Sequence, residues 1–488
     1  MRISRTVALA VALAVAMPIA GCSLQPPYRR PETPVASSFP APGPTDPAVG
    51  ESLAAAEIGW RDFLVDARLL RLTDIALQNN RDLRVAMLNV AKVKAQYRVQ
   101  DAARYPQVML GVTGTQARTA ASLQPPGRPL VAHSSAVEID VAWEIDFFGR
   151  LRSLSDSAFQ QHLASTHARQ AAEILLVSQV ADQYLAGLGL NDQLAITRKT
   201  LDAADHSHKI LRSRLEVGTA SELDVIQAET LVEQAKSREA EQLRLQAQAE
   251  DALVLLIGQP LPRDLPLPVP LRDQTIRDDL PAGLPSDLLT RRPDILQAEA
   301  VLRSDYADIG AARAAFFPRI SLTGAFGSES STLNGLFEAG SRAWTFTPSL
   351  IAPIFNAGAN RAILDSVQAQ RDIDIARYEK AIQTAFKEVA DGIAARRTYG
   401  DQLASAERLA AAEQRRLKIA EVRYDSGVNG YLEVLTAQTD LYNAQLALTG
   451  IRVNRLASLV DLYRALGGGW VRSTSEPART GRIDPLAS

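Results

Sequence analysis

The sequence predicts a mixed α and β chain with an internal tandem duplication. Its strands are of the membrane-barrel type, too few in one copy to close, and they continue into long coiled-coil helices. Three observations predict this: four alternating apolar and polar stretches of roughly ten residues, two proline-free stretches of roughly 65 residues, and two halves that match each other at a nearly constant offset. Composition sets the frame. The chain has 488 residues, 46% of them apolar, a net charge of −2, five histidines and one cysteine. That length allows two to four domains with ample core. The near-neutral charge offers no footprint for nucleic acid. A single cysteine excludes an internal disulfide and any multi-thiolate metal site. The longest apolar-rich run, Thr6 to Ala20, is about 15 residues, short of the roughly 20 a spanning helix needs. The mature chain is therefore soluble, or it enters a membrane through strands.

The N-terminus carries Arg2 and Arg5, then an apolar run, and ends in Ile19-Ala20-Gly21-Cys22. Residues 1–21 read as an export signal. The last four resemble the bacterial lipobox, in which the cysteine is acylated and becomes the mature N-terminus. Lipid chains add membrane affinity at about 0.8 kcal/mol per buried CH₂. Ser23, where an aspartate commonly means inner-membrane retention, resembles an outer-membrane address. Residues 22–56 form a lipidated, Pro-rich arm with eight prolines between Pro26 and Pro47, read as extended chain because proline fixes φ and removes donors.

The duplication is read from paired segments. Asn80-Arg81-Asp82-Leu83 aligns with Arg292-Pro293-Asp294-Ile295 at an offset of 212, and Ala102-Ala103-Arg104-Tyr105-Pro106 with Ala314-Ala315-Phe316-Phe317-Pro318. Val217-Gly218 and Leu223-Asp224-Val225 align with Ser426-Gly427 and Leu432-Glu433-Val434 at 209. The first repeat covers 57–257 and the second 286–466. A linker with seven prolines, 258–285, lies between them, and 467–488 reads as a flexible C-terminal tail.

Each repeat predicts a helix, two strands, a long helix, a break and a second helix. Strands are expected near 107–117, 135–146, 319–328 and 343–352. In the sharpest, Val137, Ile139, Val141, Trp143 and Ile145 alternate with Glu138, Asp140, Ala142, Glu144 and Asp146, a period of 2. Ser/Gly/Pro-rich segments at 117–135 and 328–342 read as loops. Such strands suit a sandwich edge, or a barrel that is apolar toward lipid and polar toward water. Four carboxylates on one strand face, without basic partners opposite, favour the barrel. Trp143 and Trp344 are then candidates for its aromatic girdle or for packing between strands. The smallest membrane barrels have about eight strands, and open edges are not tolerated in lipid. Several copies must therefore each contribute four.

Helices are expected over 151–215, 222–256, 361–424 and 432–466. Ile174, Val177, Ala181, Tyr184 and Leu188 follow a 3-4 spacing, as do Leu432, Leu435, Thr439, Tyr442 and Leu446. These are coiled-coil seams. Gly218 and Gly427 mark the breaks. No catalytic chemistry is visible. His206/His208 and His162/His167 are poorly spaced for a metal and read as solvated helix surface. Asp278-Asp279 falls in the linker. No phosphate loop or Ser/His/Asp signature occurs. The expectation is no enzyme, no metal and no cofactor beyond the covalent lipid on Cys22.

These residues resemble a family. Trp60-Arg-Asp-Phe63, Leu77-Gln-Asn-Asn80, Trp143-Glu-Ile-Asp-Phe-Phe-Gly-Arg150, Leu284-Pro-Ser-Asp-Leu-Leu-Thr-Arg-Arg-Pro-Asp294, Ala311 through Gly324, Pro353-Ile-Phe355 and Tyr431-Leu-Glu-Val-Leu-Thr-Ala-Gln438 look like the TolC-like outer-membrane efflux proteins. Within these, the resemblance is to the lipoprotein branch that serves resistance-nodulation-division pumps. It implies a homotrimer: a 12-stranded outer-membrane β-barrel, four strands per protomer, continued by a long periplasmic α-helical barrel. A periplasmic adaptor (membrane fusion) protein and an inner-membrane pump complete the system. The channel passively exports small molecules such as drugs. The family closes its periplasmic tip near the second helix break with a leucine, an aspartate and an arginine. Here Leu432 matches the leucine, Thr436 stands where aspartate is common and Thr439 where arginine is common. Leu432 is thus either a hydrophobic constriction or an ordinary seam leucine, and a charged ring is in doubt. Asp425, Asp440 and Asp224 are further tip candidates. The competing class is a lipid-anchored periplasmic coiled-coil adaptor or scaffold. An adaptor would show lipoyl-like and barrel domains around one helical hairpin, not a duplicated plan with alternating strands. An envelope enzyme is a third class, and it lacks any catalytic constellation.

Overall fold

The computed structural model describes residues 23–39, 55–123, 125, 127, 130–278, 280 and 285–474. The export signal, Cys22 and residues 475–488 lie outside the described residues. The elements run α1 (Trp60–Phe63), α2 (Ala67–Asn79), α3 (Arg81–Ala102), β1 (Gln107–Arg118), β2 (Val131–Ile145), α4 (Arg150–Glu216), α5 (Glu222–Ile257), α6 (Pro285–Arg291), α7 (Pro293–Ala314), β3 (Arg319–Ser330), β4 (Arg342–Ile351), α8 (Ala359–Asp425) and α9 (Tyr431–Ala465). The order helix, strand, strand, long helix, helix occurs twice. The long helices fall within two residues of expectation. β2 starts at Val131 rather than near 135, because Val131 through Ser134 continue the ladder against Arg118 through Thr115. None of the helices is long and apolar enough to cross a membrane, among the described residues.

The chain divides into two compact units, and each draws on both halves of the sequence. The first comprises 1–32, 89–165 and 297–378. It holds one antiparallel sheet in the order β1-β2-β3-β4. The register brings Leu110, Ile139, Phe326 and Trp344 into one row across all four strands, and Val108, Val141, Gly324 and Phe346 into the next. Side chains alternate between faces along a strand, so both rows share one face. The opposite face carries Glu138, Asp140, Glu144, Thr323, Thr345 and Thr347.

Within the same unit the N-terminal segment lies along α7 in the opposite direction. Arg313 Nη1 donates to the Leu24 carbonyl at 3.3 Å near the end of α7. Nearer its start, Tyr28 and Arg30 donate to Glu299, Arg30 through Nη2 to both oxygens at 3.0 and 2.9 Å. Arg303 adds a third donor at 2.8 Å. Burial alone would raise the Glu299 carboxyl. The Arg30 hydrogen bond and the charges of Arg303 and Arg30 outweigh it and hold the group below its ordinary range. His162 corrects an expectation: it is buried, not solvated. Burial, with Lys94 adding to it, holds its imidazole below the usual range.

The second unit comprises 33–88, 166–296 and 379–488. The α4 seam is as expected: Ile174, Val177, Ala181, Tyr184 and Leu188 are all buried. On α9 the buried stripe is Tyr431, Val434, Ala437, Leu441 and Ala444. It lies one residue N-terminal to much of the expected seam, since a 3-4 pattern in a Leu/Ala-rich helix fits two adjacent registers. Leu432 is 57% exposed as a result.

Two joints in this unit have the same construction. Asn80 Oδ1 accepts the Leu83 N–H at 2.8 Å and so caps α3, while Asn80 Nδ2 donates to the Leu256 carbonyl near the end of α5 at 2.9 Å. At the matching point of the second half, Arg292 Nη1 donates to the Ala465 carbonyl at the end of α9 at 2.9 Å. Arg292 is also paired with Asp294 and Glu388.

The Pro-rich segment after α5 is packed rather than free-standing. Leu271 and Leu280 are buried, Ile276 bridges Leu64, and Gln274 Nε2 donates to Asp66 Oδ2 at 2.5 Å. The segment expected as a flexible tail from 467 is docked up to 474. Trp60 N–H donates to the Val471 carbonyl at 2.9 Å, and Thr474 N–H to Asp62 at 2.7 Å. Backbone groups bonded in this way give residues 467–474 fixed positions, which the polar composition of the tail does not reveal.

Candidate functional site

The sheet is the first candidate. Its apolar face is left uncovered within the chain: Leu110, Val112, Phe326, Trp344, Phe346 and Leu350 are all exposed, Trp344 at 74%. A contiguous exposed apolar surface of this kind marks a membrane or interaction surface. The two tryptophans share this face but differ. Trp143 is half-buried and donates its indole N–H to the Arg104 carbonyl at 3.0 Å. Trp344 opposes Phe326 and is largely exposed. Their rows lie four residues apart along β2, about 13 Å.

Two of the four carboxylates expected on the polar face have local work instead. Glu144 accepts two bonds from Arg150, at 2.9 and 2.8 Å, and Asp146 accepts the Arg152 N–H at 2.7 Å. Both secure the entry to α4. Glu138 and Asp140 remain on the polar face.

The helix breaks of the second unit are the other candidate. Gly218 and Gly427 have φ of +74° and +72°, the left-handed conformation that glycine tolerates. Around each, the same two bonds satisfy the terminal carbonyls: Gly218 N–H to Leu215 and Thr219 N–H to Arg214 at 2.9 and 2.8 Å, and Gly427 N–H to Tyr424 and Val428 N–H to Arg423 at 2.9 and 2.9 Å. Beside them, Leu211, Ala228, Ala420, Tyr431, Val434 and Ala437 form one apolar cluster drawn from both hairpins.

The tip candidates fall into three groups. Leu432 and Thr436 are exposed. Thr436 and Thr439 return their hydroxyls to their own helix, donating to the Leu432 and Leu435 carbonyls at 2.8 and 2.9 Å, and supply no charge. Asp224 is committed to the α5 capping box with Ser221. Asp440 and Asp425 pair with basic residues that sequence reasoning missed: Arg416 at 2.7 Å and Arg214 at 3.5 Å. Arg214 also lies over the Tyr424 ring, 5.3 Å from its centre. The offset of 209 was the available signal, since it aligns Arg214 with Arg423. Away from the breaks, burial pushes the Asp182 carboxyl up to about 7, with Asp461 adding to the shift and Arg464 opposing it. The described residues hold no cluster of three or more groups able to bind a metal.

The exposed apolar sheet face is the kind of surface that meets a membrane or a partner. The outer membrane efflux protein family model matches residues 72–259 and 284–468, so the chain belongs to that family. It is the outer-membrane component of an efflux system and not an enzyme. It is 43% identical over 467 residues to the probable efflux pump outer membrane protein TtgC of Pseudomonas putida, covering 96% of each chain. It is 44% identical over 465 residues to the outer membrane protein OprJ of Pseudomonas aeruginosa, covering 94% of this chain and 95% of that one. Its fold is similar to the open-state crystal structure of the Neisseria gonorrhoeae MtrE outer membrane channel. That match has a TM-score of 0.84 at 36% identity and covers 93% of this chain and all of MtrE.

Proposed function

We propose that three copies of this chain form a passive channel: a 12-stranded barrel in the outer membrane, four strands from each, continued by helices into the periplasm. One observation carries this. The sheet exposes its apolar face, and its outer strands β1 and β4 each have a single partner among the described residues. Open edges cannot persist in lipid, so β4 of one copy pairs with β1 of the next. The repeated order of elements, and a family model that matches once in each half, support the tandem duplication.

Acylated Cys22 anchors the chain, and the arm after it holds that end near the α7 terminus. A periplasmic adaptor and an inner-membrane pump deliver the cargo, small molecules such as drugs. Relatives are named as components of toluene and antibiotic efflux pumps. Leu432 forms an apolar constriction; its exposure away from the buried stripe of α9 supports this. The scaffold alternative gives the uncovered sheet nothing to do.

Reconstitution into a planar bilayer, with the mass measured in detergent, tests the proposal. Steady conductance and a mass of three chains are expected. A monomer without conductance overturns it. Leu432→Ala should raise single-channel conductance, and an unchanged value removes the gate role.

A further inference from the structure

Two carboxyl groups meet inside the first unit. Asp305 of α7 and Asp374 of α8 are 8% and 4% exposed, and their side chains are hydrogen-bonded to each other. Asp374 has two further donors on its own helix: Gln370 Nε2 reaches Oδ2 at 2.6 Å and Arg377 Nη1 reaches Oδ1 at 2.9 Å. Asp305 Oδ2 is buried with no donor. An ionised carboxylate only accepts, so a bond between two carboxyls contains a proton. Burial alone would raise the Asp374 carboxyl, but its donors hold it below the ordinary range. The proton therefore sits on Asp305, whose carboxyl is pushed up to about 7 by burial and by the Asp374 charge. Asp308, three residues on along α7, adds to that shift, and Arg377 of α8 opposes it. From α4, Ser157 meets Ser304 at 2.9 Å and bonds Asp308, and Gln161 meets Ser304 at 3.3 Å.

The fold does not require acids here. Helices α3 and α7 both have 22 residues and start 212 apart, and α4 and α8 both have 67 and start 209 apart. The mates of Asp305 and Asp374 are therefore Val93 and Ser165. An aliphatic and a hydroxyl side chain serve at the matching positions, and neither titrates. Neighbouring turns of α7 and α8 hold the N-terminal arm. Tyr306, next to Asp305, meets the Tyr28 ring edge-on at 5.4 Å. Arg303 lies over the same ring, 4.8 Å from its centre, and with Arg30 it binds Glu299. Tyr378, one turn past Asp374, is fully buried and feels the charges of Glu299, Arg30 and Arg303.

We propose that Asp305 and Asp374 hold one shared proton as a pH-sensitive clasp between α7 and α8, and that its release to water loosens the seat of the N-terminal arm. With the proton bound, the pair is a hydrogen bond between two helices. Without it, two carboxylates face each other in a buried place where Arg377 offsets one charge, and α7 is pushed from α8. The folded-state value of Asp305 lies above its ordinary 3.8, so the clasp is complete at acid pH and is lost as pH rises through about 7. The arm bears on α7 through Tyr28 and Arg30, and its seat moves with that helix. The clasp lies within one chain and does not depend on the trimer reading.

The test uses the full-length chain in detergent with Asp182→Asn as the parent, because Asp182 titrates in the same range. The infrared difference between this parent and the parent carrying Asp305→Asn should show a protonated-carboxyl band that is lost as pH rises. Beyond its midpoint the protonated fraction should fall about tenfold per pH unit. Asp374→Asn, whose amide supplies the donor, should move the band to lower pH, and it carries the test if Asp305→Asn does not fold. A nitroxide on Arg29→Cys, read against the same chain without that thiol, reports the arm. Its immobilised fraction should drop with the band in the parent and stay constant in Asp305→Asn. Absence of a titrating difference band overturns the shared proton. A band that titrates while the label stays immobilised overturns the clasp on the arm.

Discussion

Where α3 meets the end of α5, an uncharged side chain closes the joint; where α7 meets the end of α9, a charged one does. Asn80 reaches Leu256 and caps its own helix with the same group. Arg292 reaches Ala465, and it also binds Asp294 and Glu388. The carbonyls being met are equivalent, so the backbone sets the need for a donor and leaves its chemistry open. A buried guanidinium requires anions around it. The second half has therefore gathered a network where the first needed two bonds.

The largest effect should follow from breaking the charged joint. Arg292→Ala strands the Ala465 carbonyl, leaves Asp294 without its cation and leaves Glu388 with Arg464 alone, a loss of about 3 kcal/mol, read from urea unfolding in detergent. Asn80→Ala should cost less, about 2 kcal/mol, for one cap and one carbonyl bond. Equal losses would remove the distinction between the joints.

A second difference lies at Asp182 and its mate Asp391. Asp391 pairs with Lys387, and the position matching that lysine is Ser178, so Asp182 has no such partner on its helix. Its carboxyl rises from 3.8 to about 7 on burial. Between those values the native state binds more protons than the unfolded state, so stability falls as pH rises. Asp182→Asn should flatten the melting temperature across that window and raise stability near pH 8 by about 1 kcal/mol. An unchanged pH profile would assign the dependence elsewhere.

The smallest effects are expected at the breaks. Ser221 caps α5 in a complete capping box, whereas α9 starts at Gly430 with no side-chain cap. Ser221→Ala should cost about 1 kcal/mol, and Gly430→Ser, which sets a serine three residues before Glu433, should gain a few tenths. Amide exchange in the first turns of α5 and α9 would record both.

Much of this was legible in sequence because each signal had a period. Alternation placed the four strands, and the glycines marked both breaks. The apolar face was readable from Val137 to Ile145 alone. Other features have no period. The one-residue shift of the α9 stripe depends on which helix packs against it. Arg214 and Arg416 are ordinary charged residues until the fold brings aspartates to them, and His162 is buried by neighbours distant in sequence. The docking of 467–474 combines backbone bonds with Thr474 on Asp62 and Arg472 on Asp74, partners that only the fold brings together.

In the proposed trimer, the sheet's two outer edges also govern the time before assembly. A lone chain carries its outer β1 and β4 edges beside an uncovered apolar face. Such edges template pairing with any available strand. Productive encounter and aggregation therefore draw on the same surface, and both rates climb with the concentration of unassembled chain. A chain that waits longer before its edges are paired is thus exposed for longer to aggregation.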